Sequence, residues 1–304
     1  MVVLASLGAS PGFMPELPEV EVTRRQIERV LVGRTVADVR TTAPSYFFLT
    51  PPRELRARLL GRRVTRLERH GKYLIGHLDD GSRLLLHLGM TGQLVAAPAE
   101  PTRPAPARRA GPRSERRAVA FVGDQHTHLV LSFREPGPRL CFRDVRKFGK
   151  VAWIPKGAVS ERLDKLGPDA LRVTGKELFD ATRSRSVPIK TVLLDQSVLA
   201  GVGNIYADEA LFVAKIRSTR PANALSQRES DALVAALRKV LRRSIATGGS
   251  TISDFVRPDG SDGGYQDHHL VYGRAGEPCP RCGTPIRRVV LGGRSTHYCP
   301  HCQK

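Results

Sequence analysis

Apolar residues first fall into register at Val20, Ile27, Val30 and Leu31, the one-face spacing of a helix over Glu19–Leu31. Pro18 suits the first turn of that helix and Gly33 ends it. From Arg34 to Leu94 the pattern turns to short strands, among them Arg62–Glu68, Lys72–Leu78 and Arg83–His87. Asp79-Asp80-Gly81, between the last two, is a hairpin turn signal. Leu129–Phe133 and Arg139–Phe142, split by Pro136-Gly137-Pro138, predict a second hairpin. After Trp153 the helical period takes over. It predicts helices over Lys190–Leu199 and Asn204–Val213, joined by Gly201-Val202-Gly203. A longer helix follows. Ser226 and Glu229 form its capping box, Leu233, Leu237, Val240, Leu241 and Ile245 its apolar stripe, and Gly248-Gly249 its stop. The chain closes with a glycine-rich segment, Gly248–Gly276, and a cysteine module.

Between the strand hairpins, Ala97–Ala118 breaks the pattern. It holds five prolines and six arginines against two glutamates, with no apolar period, so a flexible basic loop is expected. Basic residues dominate the whole chain. Lys plus Arg number 49 and Asp plus Glu 29 over 304 residues, a net charge of +20. Such an excess points to a polyanionic partner, of which nucleic acid is the commonest. No apolar run approaches the ~18 residues of a membrane span. Met1–Met14 also lacks the basic flank of a secretory signal.

Four of the five cysteines form two Cys-x-x-Cys pairs, Cys279/Cys282 and Cys299/Cys302. That spacing predicts one structural zinc ion held by four thiolates, a closed sphere with no open position for catalysis. Cys141 sits in an apolar strand-like run and is expected to be a small buried hydrophobe.

Several motifs remain. Met14-Pro15-Glu16-Leu17-Pro18-Glu19-Val20-Glu21 crowds prolines and carboxylates at a helix start, which composition alone explains as helix-start chemistry. Further on stand His87-Leu88-Gly89-Met90-Thr91-Gly92, Arg143-Asp144-Val145-Arg146-Lys147-Phe148-Gly149, Gly201–Glu209 and Tyr272-Gly273-Arg274. In this order, and with the cysteine module, they closely resemble bacterial formamidopyrimidine-DNA glycosylases of the formamidopyrimidine-DNA glycosylase/endonuclease VIII family. The resemblance runs from Pro15 to Lys304.

The resemblance implies an α+β protein. A β-sandwich catalytic domain spans 15–160, a helix–two-turn–helix DNA-binding domain 161–275 and a zinc finger 276–304, with DNA in the cleft between the halves. It implies a bifunctional base-excision repair enzyme that removes 8-oxoguanine and formamidopyrimidines and then cleaves the strand. The sister reading is an endonuclease VIII-like enzyme for oxidised pyrimidines. A third is a catalytically silent DNA-binding protein.

Residue by residue, the family pattern makes Pro15 the nucleophile and Glu16 the general acid/base. Glu19 matches a supporting acid, Lys72 the proton donor in β-elimination and Arg294 the finger arginine of δ-elimination. Met90, Arg146 and Phe148 match the side chains that fill the hole left by a flipped base. His126, Arg146 and Arg185 fall at DNA-contact positions, and Lys190 and Asn204 lie near the helix pair that grips the backbone. Gly201 and Gly203 would let that backbone approach a phosphate. Double-stranded damaged DNA is the partner implied, with no membrane, for a monomer in the bacterial cytoplasm. The chain departs from the pattern in the length of the basic loop and in the residues before Pro15. A nucleophilic amine there requires that 1–14 be absent from the mature enzyme, and Met14 offers the start.

Overall fold

The computed structural model describes residues 14–98, 124–251 and 257–304. Beyond Pro98 the expected basic loop lies outside the described residues, and so does part of the glycine-rich segment. The N-terminal half contains α1 (Leu17–Leu31), β1 (Val36–Thr41), α2 (Pro52–Leu59), β2 (Val64–His70), β3 (Tyr73–Leu78), β4 (Arg83–His87), β5 (Gly92–Ala97), β6 (Thr127–Phe133), β7 (Arg139–Asp144) and β8 (Lys150–Ile154). The helical half contains α3 (Glu161–Asp164), α4 (Gly175–Thr182), α5 (Ile189–Leu194), α6 (Asn204–Ala214) and α7 (Gln227–Ala246), and the finger adds β9 (Arg287–Leu291) and β10 (Arg294–Tyr298).

The strands form two four-stranded antiparallel sheets, ordered β1-β6-β7-β5 and β2-β3-β4-β8. Period-two alternation decides what lies between them. Leu84 and Leu86 of β4 join Leu129, Leu131, Leu140 and Phe142 in the sandwich core. Leu85 points the other way, into a small cluster with Ile75, Ala152 and Ile154. Cys141 is buried on β7, as its apolar run predicts.

The long helix starts where the capping box places it. Ser226 Oγ accepts from Glu229 N, and the Glu229 carboxylate accepts from Ser226 N. The helix predicted over Lys190–Leu199 is shorter, because the Asp195 carboxylate accepts from Ser197 N and Oγ and turns the chain after Leu194. Among the described residues no helix is long and apolar enough to cross a membrane.

Helix α1 joins the two halves. Val20, Ile27, Val30 and Leu31 belong to the sandwich core, whereas Leu17 and Val22 belong to the core of the helical half. Arg69, at the end of β2, clamps the same junction. Its guanidinium pairs with Glu21 of α1 at 3.1 Å and with Asp169 of the helical half at 2.5 Å. Asp169 also accepts from Gly71 N at 2.9 Å, fixing the turn that carries Lys72. The N-terminal motif is thereby held where the two halves meet.

Candidate active site

Pro15 and Glu16 precede the first turn of α1 and are both buried. The Glu16 carboxylate turns back on α6, accepting from Ile205 N at 3.0 Å and Tyr206 N at 3.5 Å. It occupies the positive end of that helix. Gly203 makes this approach possible, since a Cβ there would lie 2.2 Å from the Glu16 Cδ. Gly201, at φ +105°, does the same for Leu17, whose N–H donates to the Gly201 carbonyl at 3.0 Å. The two glycines thus admit the N-terminal motif; the expected close approach to a DNA phosphate is taken by the protein's own carboxylate.

Glu19 lies one turn further on. It accepts from Glu16 N at 2.9 Å, from Ser250 N at 2.8 Å and from the Tyr206 hydroxyl at 2.5 Å. That hydroxyl also bonds Ser244 of α7, so the network spans both ends of the helical half. Burial pushes the Glu16 carboxyl above its usual range, against the pull of Lys72 and of backbone N–H groups. Burial, and next the Glu16 charge, push Glu19 up to about 7. Lys72 is 9% exposed, and burial draws its ammonium below the usual lysine value while Glu16 and Glu19 oppose the shift. Arg294 adds to the depression of Lys72. The structure therefore brings Glu16, Glu19, Lys72 and Arg294 into one electrostatic cluster beside Pro15.

Glu19 supplies a pH test. In the folded protein it keeps its proton to about pH 7, whereas an unburied glutamate releases it near 4.5. Over that window the folded state binds the extra proton. The contribution is fully present below about pH 4.5 and is lost as pH rises through about 7, on the order of 3 kcal/mol in all. Glu19→Gln should flatten the melting temperature against pH across this window. An unchanged slope would assign the titration to another group.

Arg294 is placed by the finger hairpin. Gly292 and Gly293, with φ of 53° and 73°, make the two-residue turn between β9 and β10, and Arg294 is the first residue after it. The finger and the segment before it dock on α6: Asp208 accepts from His297 N of the finger at 2.8 Å, and Glu209 accepts from the N–H groups of Leu270, Val271 and Tyr272 ahead of it. Lys190 differs from its expected role. It is fully buried, paired with Asp208 at 2.7 Å, and donates to the Ser295 carbonyl and the Thr296 hydroxyl. Its ammonium therefore tethers the finger instead of reaching outward to a phosphate. Asn204, first in α6, also faces the finger, its amide 3.4 Å from Ser295 Oγ.

The four cysteine sulfurs lie within 4.8 Å of one another. Cys279 and Cys302 are 3.9 Å apart and Cys282 and Cys299 3.5 Å. A tetrahedron with Zn–S bonds of about 2.3 Å has edges of about 3.8 Å, so the sulfurs fit one zinc ion. Arg281 N and Cys302 N each point at a ligand sulfur at 3.4 Å, which favours the thiolate. The zinc is structural, since four thiolates leave no open position.

A second group of residues lies on the exposed side of the sandwich. Met90 follows β4 on a turn held by Gly89 N donating to His87 Nδ1. Burial, and next the charge of Lys72, push the His87 imidazole down to about 3, so it stays neutral and can accept. Arg146 and Phe148 occupy the β7–β8 loop, with the Arg146 guanidinium 4.6 Å from the centre of the exposed Phe148 ring. Buried Asp144 organises both turns, accepting from Thr91 Oγ1, Arg146 N and Gly149 N. Lys147 between them has φ 57°, a left-handed conformation that costs a non-glycine residue about 1–2 kcal/mol. His126 borders this loop through its carbonyl, which accepts from Asp144 N. Arg185 lies apart, after α4, paired with Asp195 at 3.1 Å.

Sequence reasoning missed Tyr206, Asp208 and Glu209, whose side-chain partners are distant in the chain, and Asp144, which joins its own loop to Thr91. It also missed Tyr46, although the run Tyr46-Phe47-Phe48 was a visible signal.

Family models match in the same order as these units. The formamidopyrimidine-DNA glycosylase N-terminal domain covers residues 14–151, its H2TH (helix–two-turn–helix) domain 166–256, and the zinc finger found in FPG and IleRS 276–304. The chain is 45% identical over 308 residues to the formamidopyrimidine-DNA glycosylase of Cupriavidus pinatubonensis, covering 95% of this chain and all of the relative. The crystal structure of the MutM (Fpg) protein from Thermus thermophilus aligns with a TM-score of 0.78 at 39% identity, over 95% of this chain and 98% of that one. A MutM in complex with DNA containing carbocyclic 8-oxo-G aligns with a TM-score of 0.79 at 35% identity, over 95% of this chain and 100% of that one. With its three domains matched in order and a relative 45% identical over nearly the whole chain, the chain belongs to the formamidopyrimidine-DNA glycosylase family of DNA-repair enzymes.

Proposed function

We propose that the protein is a bifunctional DNA glycosylase and abasic-site lyase that removes 8-oxoguanine and ring-opened formamidopyrimidines from duplex DNA. The observation that carries this reading is the cluster beside Pro15 of buried Glu16 and Lys72 with the exposed Arg294, whose charge acts on Lys72. The 8-oxo-G DNA bound by a related MutM supports the substrate class.

The Pro15 nitrogen attacks the sugar C1′, and the bond from C1′ to the damaged base breaks, the base leaving with the bonding electron pair and the proton that the nitrogen gives up. Glu16, whose burial favours the protonated form, delivers a proton to the sugar-ring oxygen as the ring opens. The resulting iminium is a fixed cation that draws electrons from C2′ and acidifies its proton. Lys72 stands beside this centre with a depressed pKa, suited to proton transfer during β-elimination. Arg294 offers a fixed positive charge to the phosphate that leaves in δ-elimination. Met90, Arg146 and Phe148 fill the gap left by the extruded nucleotide, and His126, Arg185 and Asn204 line the DNA path. Lys190 acts through the finger it tethers. The enzyme would work as a monomer in the bacterial cytoplasm.

The mechanism needs a secondary amine at Pro15, which a preceding peptide bond removes. We infer that synthesis starts at Met14 and that the methionine is then removed. The match to the N-terminal family model, which begins at residue 14, supports this. An α-amine with a pKa of about 7.7–8.0 is partly unprotonated near neutrality.

The test uses duplexes carrying 8-oxoguanine or thymine glycol. Protein beginning at Pro15 should cleave the 8-oxoguanine duplex faster, and borohydride should trap it covalently on that DNA. A version retaining residues 1–14 should not be trapped. Preference for thymine glycol would move the substrate to oxidised pyrimidines. Binding without cleavage by either version would leave a silent DNA-binding protein.

A further inference from the structure

The run Ser45-Tyr46-Phe47-Phe48-Leu49 splits its aromatic residues between two environments. Phe47 and Phe48 are buried, whereas Tyr46 is 56% exposed. Phe47 packs edge-on to Phe142 at 4.8 Å, and its carbonyl accepts from Val151 N at 2.9 Å. Leu49 N donates to the Val151 carbonyl at 2.8 Å. Core packing and these bonds to β8 leave the backbone at Tyr46 little freedom, so its exposed ring is held on a rigid base.

That ring sits against the loop bearing Arg146 and Phe148. The Tyr46 hydroxyl donates to the Arg146 carbonyl at 2.7 Å. Its ring centre is 6.4 Å from that of Phe148, and the Lys150 ammonium lies 4.7 Å from the Tyr46 ring centre. Lys150 also donates to the carbonyls of Phe148 and Gly149. Arg146, Phe148, Tyr46 and Lys150 thus alternate as cation, ring, ring, cation. Asp144 holds the inner side of this loop through two backbone N–H groups, and Tyr46 holds the outer side through the Arg146 carbonyl. The left-handed Lys147 lies between those holds.

We propose that Tyr46 is a positioning residue for base extrusion: it latches the Arg146–Phe148 loop in its projecting conformation before DNA arrives. The inference rests on the reading of that loop as the one that fills the flipped-out gap. A loop ordered in advance spends less of its binding free energy on ordering when it enters the stack. Loss of the latch should therefore slow extrusion and leave the chemistry of an already exposed sugar untouched.

The experiment compares wild type with Tyr46→Phe and Tyr46→Ala under single turnover. One substrate is an 8-oxoguanine duplex with 2-aminopurine beside the lesion, whose fluorescence reports unstacking. The other is a single strand with a preformed abasic site, which needs no extrusion. Tyr46→Phe removes the hydroxyl and keeps the ring. It should slow both the fluorescence rise and base excision by about 3- to 10-fold, the range for one hydrogen bond. Tyr46→Ala removes ring and hydroxyl and should slow both further. Cleavage of the single strand should stay near wild type for each variant. Equal losses on both substrates, or no loss on the duplex, would overturn the proposal. If Tyr46→Ala fails to fold, Tyr46→Phe alone decides. Failure of wild type to cleave either substrate would instead reject the proposed function.

Discussion

Glu16→Gln should lower single-turnover excision of the damaged base by about 10²- to 10⁴-fold, the usual range for loss of a positioned general acid or base. The reason lies in the position of the carboxyl. It is 3% exposed at the N-terminus of α6, and burial raises its pKa, so it carries a deliverable proton nearer neutrality than a surface glutamate does. The amide keeps one acceptor oxygen for Ile205 N–H, so the helix end stays satisfied and the fold survives. Rapid-quench assays on an 8-oxoguanine duplex measure the rate, and a melting curve checks the fold. The variant should also lose the fall in rate that accompanies deprotonation of this group as pH rises. A variant that excises at the wild-type rate would remove Glu16 from the chemistry.

Loss of the zinc has the second large effect. The four thiolates hold a finger whose small apolar core is Cys279, Ile286 and Cys299, packed on Val271 and on Phe212 of α6. So small a core cannot support itself, and metal binding supplies the folding free energy of such modules, about 10–16 kcal/mol in isolated finger peptides. Wild type should carry one equivalent of zinc, and Cys282→Ser should release it. With β10 unfolded, Arg294 loses its place beside Lys72, and Lys190 and Asp208 lose their bonds to Ser295, Thr296 and His297. Duplex affinity and strand cleavage should both fall by more than about tenfold, the effect of losing roughly 1.4 kcal/mol or more of binding. The sandwich, whose core is separate, should melt nearly as before. Metal analysis, fluorescence anisotropy with labelled duplex, and a melting curve measure the three. Full zinc and full affinity in Cys282→Ser would refute the site.

Much of this protein is written locally. The capping box at Ser226 and Glu229, the hairpin around Pro136-Gly137-Pro138 and the paired cysteines were legible because each depends on residues a few positions apart. Helix α2 was not legible, since only Leu55 and Leu59 of its eight residues are buried and so short a stripe carries little periodicity. The N-terminal motif, the Met90 turn and the Arg146–Phe148 loop could be named from the family resemblance. Their roles could not be derived from composition, because prolines and acids at a helix start have an ordinary explanation.

Tertiary structure decided the electrostatics and the partners. Lysines are almost always solvated, so nothing local marks Lys190 as buried; Asp208, a turn into another helix, makes it so. Gly201 and Gly203 read as a phosphate approach until Leu17 and Glu16 arrive from the other end of the chain to occupy that space. The same long-range packing pushes Glu19 up to about 7 and Lys72 down, because desolvation depends on what surrounds a group and not on its neighbours in sequence. Tyr46 is sorted from Phe47 and Phe48 only by how the turn that carries them sets Phe47 and Phe48 into the sandwich core and leaves Tyr46 outside. The sequence by itself determined most of the elements, the metal ligands and the family. Packing determined which of its many charged side chains are buried, neutralised or brought to bear on Pro15, since those properties arise from contacts that only the folded chain creates.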